Sequence, residues 1–136
     1  MPPEPTHLRV VGDIHGDSDA LAAALETMTP DHHLVLLGDL VDRGPDSPGV
    51  LTRVCDLVQN GRATLIRSNH DDKLYRHLIG RPVTITPDLQ ETLDQLARHP
   101  QGGEIKAAFL HVYEQAPWWV NHDSITMVHG AFHPDM

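Results

Sequence analysis

The sequence lacks the features of a secreted or membrane-spanning protein. It contains one cysteine, Cys55, so no disulfide can form within the chain, and Cys55 reads as a small core residue. Its longest apolar runs, such as residues 34–37, are far too short to cross a bilayer. Residues 1–10 include three prolines and lack the basic-then-apolar pattern of a signal peptide. We therefore expect a cytoplasmic protein that does not enter membranes.

Basic residues are also scarce. Ten Lys and Arg stand against 19 Asp and Glu, which gives a net charge of -9. A generic DNA-binding surface needs basic clusters that displace counterions, so the composition argues against one. An acidic chain would also repel a phosphorylated substrate, unless bound cations reverse the charge locally. The 11 histidines beside these carboxylates make metal binding the first hypothesis to test.

Alternating strand and helix patterns predict one α/β domain over residues 1–136 with a parallel sheet. Residues 81–122 interrupt the alternation and read as a helical cap or insert near one edge of the sheet, with Trp118 and Trp119 as its covering side chains. The predicted strands are 8–11, 33–37, 63–66 and 125–128, and the predicted helices are 18–28, 48–60, one starting near 71, 88–98 and 104–115.

Polar residues follow each predicted strand. Because ligands bind beyond the carboxyl ends of parallel strands, we expect these side chains to share one edge of the sheet. Their oxygen and nitrogen donors, without a thiolate, suit Mn²⁺, Fe or Zn²⁺ better than a structural zinc site. The residues are Asp13, His15, Asp39, Asp42, Asn69, His70 and His129.

The same residues fall in four short motifs: "GDIHG" at 12–16, "GDLVDRG" at 38–44, "NHD" at 69–71 and "VHG" at 128–130. In this order they resemble the first four motifs of the calcineurin-like metallophosphoesterase superfamily, over residues 8 to 130. The resemblance implies a layered α/β/β/α sandwich. The family's fifth motif, which supplies another histidine, is not found before Met136, so we expect the second half of the sandwich to be incomplete.

The resemblance also implies two divalent metal ions. Asp13, His15 and Asp39 would hold the first. Asp39 would bridge to a second ion held by Asn69 and His129. Mn²⁺ is the expected metal, with Fe or Zn²⁺ as alternatives.

Three further residues take catalytic roles by the same resemblance. A hydroxide activated by both metals would attack phosphorus, His70 would protonate the leaving oxygen, and Asp42 would orient His70. Arg43 would bind phosphate oxygens. The substrate would be a phosphoprotein, a dinucleoside polyphosphate or a nucleic-acid end phosphate. Residues 69–81 most resemble the phosphatase domain of bacterial polynucleotide kinase-phosphatase.

Two alternatives stay open. The first is a catalytically impaired metal-binding half-domain that needs a partner or a further C-terminal segment, since the fifth motif is missing. The second is an acidic interaction domain, whose stability would not depend on metal. The third motif also departs from the family pattern, because Ser68 replaces the usual glycine; the preceding Arg67 offers a further phosphate contact.

Overall fold

The computed structural model describes residues 7–122 and 125–128. No helix within these residues is long and apolar enough to cross a membrane. The strands are β1 (His7–Val11), β2 (His32–Leu36), β3 (Ala63–Leu65), β4 (Trp119–His122) and β5 (Ile125–Val128), and the helices are α1 (Ser18–Glu26), α2 (Ser47–Gln59), α3 (Asn69–Leu78), α4 (Pro87–Arg98) and α5 (Gly102–Glu114).

The first three strands form a parallel sheet in the order β1-β2-β3. Val10 pairs with Val35, and Val35 pairs with Thr64. The predicted parallel sheet is confirmed, and its strand boundaries agree with the sequence analysis to within one residue. All three strands therefore end at the same edge, where the polar motifs begin.

The fourth predicted strand does not join this sheet. β5 pairs antiparallel with β4, with Trp119 opposite Val128. The sequence analysis missed β4, because it assigned Trp118 and Trp119 to a cap. Trp119 instead begins a strand, and its side chain is 42% exposed.

Alternating side chains of β2 divide the core into two parts. Leu34 and Leu36 are buried in the main cluster, to which all five helices contribute. Val35 points to the other face and packs in a smaller cluster with Ile66 and Met127 of β5. Helices, parallel sheet and second sheet thus form successive layers. This arrangement confirms the predicted metallophosphoesterase-type α/β fold.

Residues 81–122, the segment described as a cap or insert, contribute directly to the main core. Leu89 and Leu96 of α4 are buried there, as are Phe109 and Tyr113 of α5. Both helices pack against α2. That residues 1–136 form one domain stays a prediction.

The core position of Phe109 leads to a stability prediction. Phe109 is fully buried and stacks on Tyr113, with ring centroids 5.2 Å apart. Phe109→Ala should lower the free energy of unfolding by about 3–5 kcal/mol, because the cavity left behind cannot fully collapse. Urea titration followed by circular dichroism measures the change. Ala107→Ser, at an exposed position of α5, is the control and should shift the value by less than about 1 kcal/mol; equal shifts would contradict the packing described.

Candidate metal centre

Backbone hydrogen bonds join the loop after β1 to the loop after β2. The His15 N–H donates to the Asp39 carbonyl at 2.8 Å, and the Gly16 N–H donates to the Leu40 carbonyl at 2.7 Å. The loops approach so closely at Gly44 that an added Cβ would lie 2.0 Å from the His15 carbonyl oxygen. Glycine is therefore required at position 44 for the two polar motifs to meet.

Five non-glycine residues in these loops adopt left-handed backbone conformations. Their φ angles are 53° at Asp13, 44° at His15, 51° at Asp39, 72° at Asp42 and 75° at Arg43. Each such residue costs roughly 1–3 kcal/mol, and such strain concentrates at functional sites. The strained residues coincide with the metal-ligand and catalytic residues expected from the motifs.

Asp13, His15 and Asp39 converge into one cluster. One ligand atom from each lies within 4.8 Å of the other two. The Nδ1 of His15 is 3.0 Å from the Val41 carbonyl, which can only accept, so Nδ1 carries the proton. In the neutral ring the Nε2 atom then has the free lone pair, and it lies 3.7 Å from Asp39 Oδ2. A backbone carbonyl that fixes the tautomer in this way is typical of a metal-ligating histidine.

His70 and Asp42 form a hydrogen-bonded pair beside this cluster. His70 Nδ1 donates to Asp42 Oδ2 at 2.7 Å. The His70 ring meets the His15 ring edge-on, with centroids 5.1 Å apart, and the His70 backbone N–H donates to Asp39 Oδ1 at 3.3 Å. The structure thus brings five of the eight predicted site residues together.

Two further predicted residues, Asn69 and Arg43, lie at the protein surface. Asn69 is exposed at the first position of α3, next to His70. Arg43 is also exposed, and its Nε lies 3.4 Å from Asp88 Oδ2. His129 lies outside the described residues.

Arg67, offered by the sequence as a phosphate contact, is instead engaged with the end of α5. Its Nε donates to the Ala116 carbonyl at 2.8 Å, and its guanidinium lies 4.8 Å from the centroid of the Tyr113 ring. A third contact runs to the ring of Trp118, at 5.8 Å. These contacts hold the segment after α5 against the start of α3.

The sequence analysis missed a set of buried polar residues that hold the second loop. Asp71 Oδ1 accepts from the Leu40 N–H at 2.9 Å, and Ser68 Oγ accepts from the Asp39 N–H at 2.6 Å. Thr92 of α4 donates to Asp42. One signal was available for Thr92, since it interrupts the apolar face that Leu89 and Leu96 define in the predicted helix.

The family model described as calcineurin-like phosphoesterase matches residues 6–135. The chain belongs to this family. Calcineurin-like phosphoesterases use divalent metals, and the cluster of Asp13, His15 and Asp39 is a candidate ligand set.

Similar curated proteins include several that carry one name. The chain is 33% identical to the asymmetrical bis(5'-nucleosyl)-tetraphosphatase PrpE of Anoxybacillus flavithermus, over 93% of this chain and 58% of the relative. It is 30% identical to the Bacillus subtilis protein of the same name, with the same two coverages. The chain therefore spans a little over half the length of the curated relatives it matches.

Solved structures agree with the fold. A crystal structure described as that of a candidate diadenosine tetraphosphatase is 26% identical, with a TM-score of 0.62 over 95% of this chain and 52% of that one. A hypothetical protein from Pyrococcus horikoshii, 19% identical with a TM-score of 0.57 over 83% of this chain and 48% of that one, shares the fold.

The burial of Asp71 predicts a pH dependence of stability. Burial, with a smaller contribution from Asp39, raises the pKa of the Asp71 carboxyl from 3.8 to about 7. The unfolded chain releases this proton near pH 4, whereas the folded chain keeps it until about pH 7. The stabilisation is therefore complete below pH 4 and is lost as the pH rises to 7.

Asp71→Asn, which resembles the protonated carboxyl, should remove this dependence. Between pH 4 and 7, wild-type stability should fall relative to that of Asp71→Asn, and the difference should be constant above pH 8. Urea unfolding in EDTA at each pH measures it. Asp56→Asn, on an exposed part of α2, is the control and should track wild type; parallel curves for all three proteins would contradict the burial argument.

Proposed function

We propose that the chain is the metal-dependent phosphoesterase domain of a dinucleoside polyphosphate hydrolase. The observation that carries this proposal is the position of the His70–Asp42 pair directly beside the cluster of Asp13, His15 and Asp39. A metal cluster adjacent to an oriented imidazole combines the two functions that hydrolysis of a phosphate ester needs.

The donor set fits divalent metal ions. Asp13, Asp39 and the Nε2 lone pair of His15 would hold one ion, and Asp39 with Asn69 and His129 would hold the second. Mn²⁺ is our first choice, because carboxylate and imidazole donors suit it and no thiolate is present. When bound, the ions would supply positive charge for phosphate oxygens and acidify a water molecule.

The chain's own residues carry the rest of the reaction. His70 donates its Nδ1 proton to Asp42, so the Nε2 atom is the one that can face the substrate. In its protonated form, Nε2 would give its proton to the leaving oxygen as the bond to phosphorus breaks. Arg43 is exposed in the same loop, where its guanidinium would bind phosphate oxygens. Its distance from Asp88 is long enough for that exposed pair to open at little cost.

Of the three substrate classes that the motifs leave open, the relatives favour a dinucleoside polyphosphate. The curated proteins at 30–33% identity carry the name asymmetrical bis(5'-nucleosyl)-tetraphosphatase. The chain's net charge of -9 would repel such a polyanion. Two divalent ions at the site would offset this charge locally.

The proposed activity predicts metal-dependent hydrolysis of diadenosine tetraphosphate. With Mn²⁺ the wild type should release ATP and AMP, separated by ion-exchange chromatography; two ADP would indicate symmetrical cleavage instead. Asp39→Asn should lower kcat/KM by about 100-fold or more, because the shared metal ligand is weakened. Asp56→Asn is the matched control on α2. Equal rates for wild type and Asp39→Asn would contradict the proposed activity. A preference for a phosphopeptide or a DNA 3'-phosphate would instead change the proposed substrate class.

Metal affinity gives a test that does not require turnover. His15→Ala should weaken Mn²⁺ binding by about 10–100-fold in calorimetry of the metal-free protein. His111→Ala, which removes an exposed histidine of α5, should leave it unchanged. Tight metal binding without hydrolysis would favour the catalytically impaired half-domain. No metal binding at all would contradict the assignment and favour the acidic interaction domain.

A further inference from the structure

Two polar side chains of α4 are buried against the loop that carries Asp42. Thr92 is 1% exposed and Gln95 is 8% exposed. They lie three positions apart, so they share one face of the helix. Gln95 accepts from the Ser47 N–H at 2.8 Å and donates to the Gly44 carbonyl at 3.0 Å. Gln95 therefore attaches α4 to the backbone on the far side of the loop.

Thr92 contacts the carboxylate itself. Its hydroxyl donates to Asp42 Oδ1 at 2.6 Å and accepts from the Asp42 N–H at 3.1 Å. The other carboxylate oxygen, Oδ2, accepts from His70 Nδ1 at 2.7 Å. Each oxygen of Asp42 thus has its own donor, and the carboxylate cannot rotate without breaking one of two buried hydrogen bonds.

We propose that Thr92 is a positioning residue for protonation of the leaving group. It holds the Asp42 carboxylate in the plane that His70 needs, and His70 in turn holds its proton toward the reacting phosphate. Water adds to phosphorus, the bond to the leaving oxygen breaks with its electron pair on that oxygen, and the oxygen takes the proton from His70 Nε2. The phosphate product keeps the protons of the attacking water and returns one of them to His70 Nε2, which restores the starting state. This inference rests on the proposed function.

The backbone at Asp42 makes such a restraint necessary. Asp42 and Arg43 have φ angles of 72° and 75°, a backbone conformation that residues other than glycine rarely adopt. The Asp42 N–H is bonded to Thr92 and, at 3.3 Å, to Ser47 Oγ. Thr92 therefore fixes both the backbone and the side chain of Asp42, at a sequence separation of 50 residues.

The test compares leaving groups. Thr92→Val keeps the shape of the side chain and removes the hydroxyl. With Mn²⁺, it should lower kcat on phenyl phosphate, whose phenolate is a poor leaving group, by about tenfold or more, and on p-nitrophenyl phosphate by less than about threefold. Thr92→Ser should restore the wild-type ratio. A purely structural role would lower both rates equally, and that result would overturn the inference.

Thr86→Val is the matched control. Thr86 caps the same helix by accepting from the Leu89 N–H at 3.2 Å. Within the part of the chain that the structure describes, it makes no hydrogen bond to Asp42. This variant weakens α4 without removing the Asp42 hydrogen bond. It should change both rates by the same factor, so a leaving-group dependence equal to that of Thr92→Val would also overturn the inference.

A second measurement separates this inference from the proposed function. The His70 Nδ1 proton, bonded to a carboxylate, should give a downfield proton NMR signal that His70→Asn removes. The signal should persist in Thr92→Ser and shift or broaden in Thr92→Val. If the wild type hydrolyses neither these esters nor diadenosine tetraphosphate, the proposed function fails while the signal still decides the role of Thr92. An unchanged signal in Thr92→Val overturns that role.

Discussion

The candidate site depends on the close contact between the loops after β1 and β2. Their backbone hydrogen bonds and the near approach at Gly44 bring Asp13 and His15 of the first loop together with Asp39 of the second. Apolar residues between the polar ones anchor both loops: Ile14 separates Asp13 from His15 and is 5% exposed, and Leu40 after Asp39 is fully buried. Burial of these side chains helps to offset the strained backbone beside them, so the alternation of apolar and polar residues serves both stability and chemistry.

The helices extend this arrangement by binding the loop's polar backbone. Asp71 of α3 accepts from two successive N–H groups of the second loop, and Gln95 of α4 bonds backbone atoms on its far side. A buried N–H without a partner is costly, so these side chains remove a penalty that the tight turn would otherwise carry. The loop geometry is therefore a property of the sheet and two helices together, and a change in α4 reaches Asp42 through Thr92.

Much of this architecture follows from sequence patterns, because strand and helix periodicity are local properties. The boundaries of the predicted elements agree to within two residues, although β4 was not predicted, and the strand-end rule gathers Asp13, His15 and Asp39 as expected. Contacts that depend on tertiary packing did not follow. The Thr92–Asp42 hydrogen bond spans 50 residues. It depends on which face of α4 is turned toward the loop, and the periodicity of the sequence does not determine this. The contacts of Arg67 were not predicted for a similar reason, since the aromatic rings around it come from distant parts of the chain.

Charge explains why such a site suits an acidic protein. One carboxylate oxygen each of Asp13 and Asp39 lie within 4.8 Å of one another, and the field of Asp39 contributes to the raised pKa of Asp71. Like charges at this separation oppose one another, so divalent cations bound there would relieve repulsion as well as gain ligands. The phosphate of a substrate would then meet the ions rather than the carboxylates. Under the proposed function, cation binding and phosphate binding would therefore be coupled, since the ions would supply the positive charge that an acidic surface lacks.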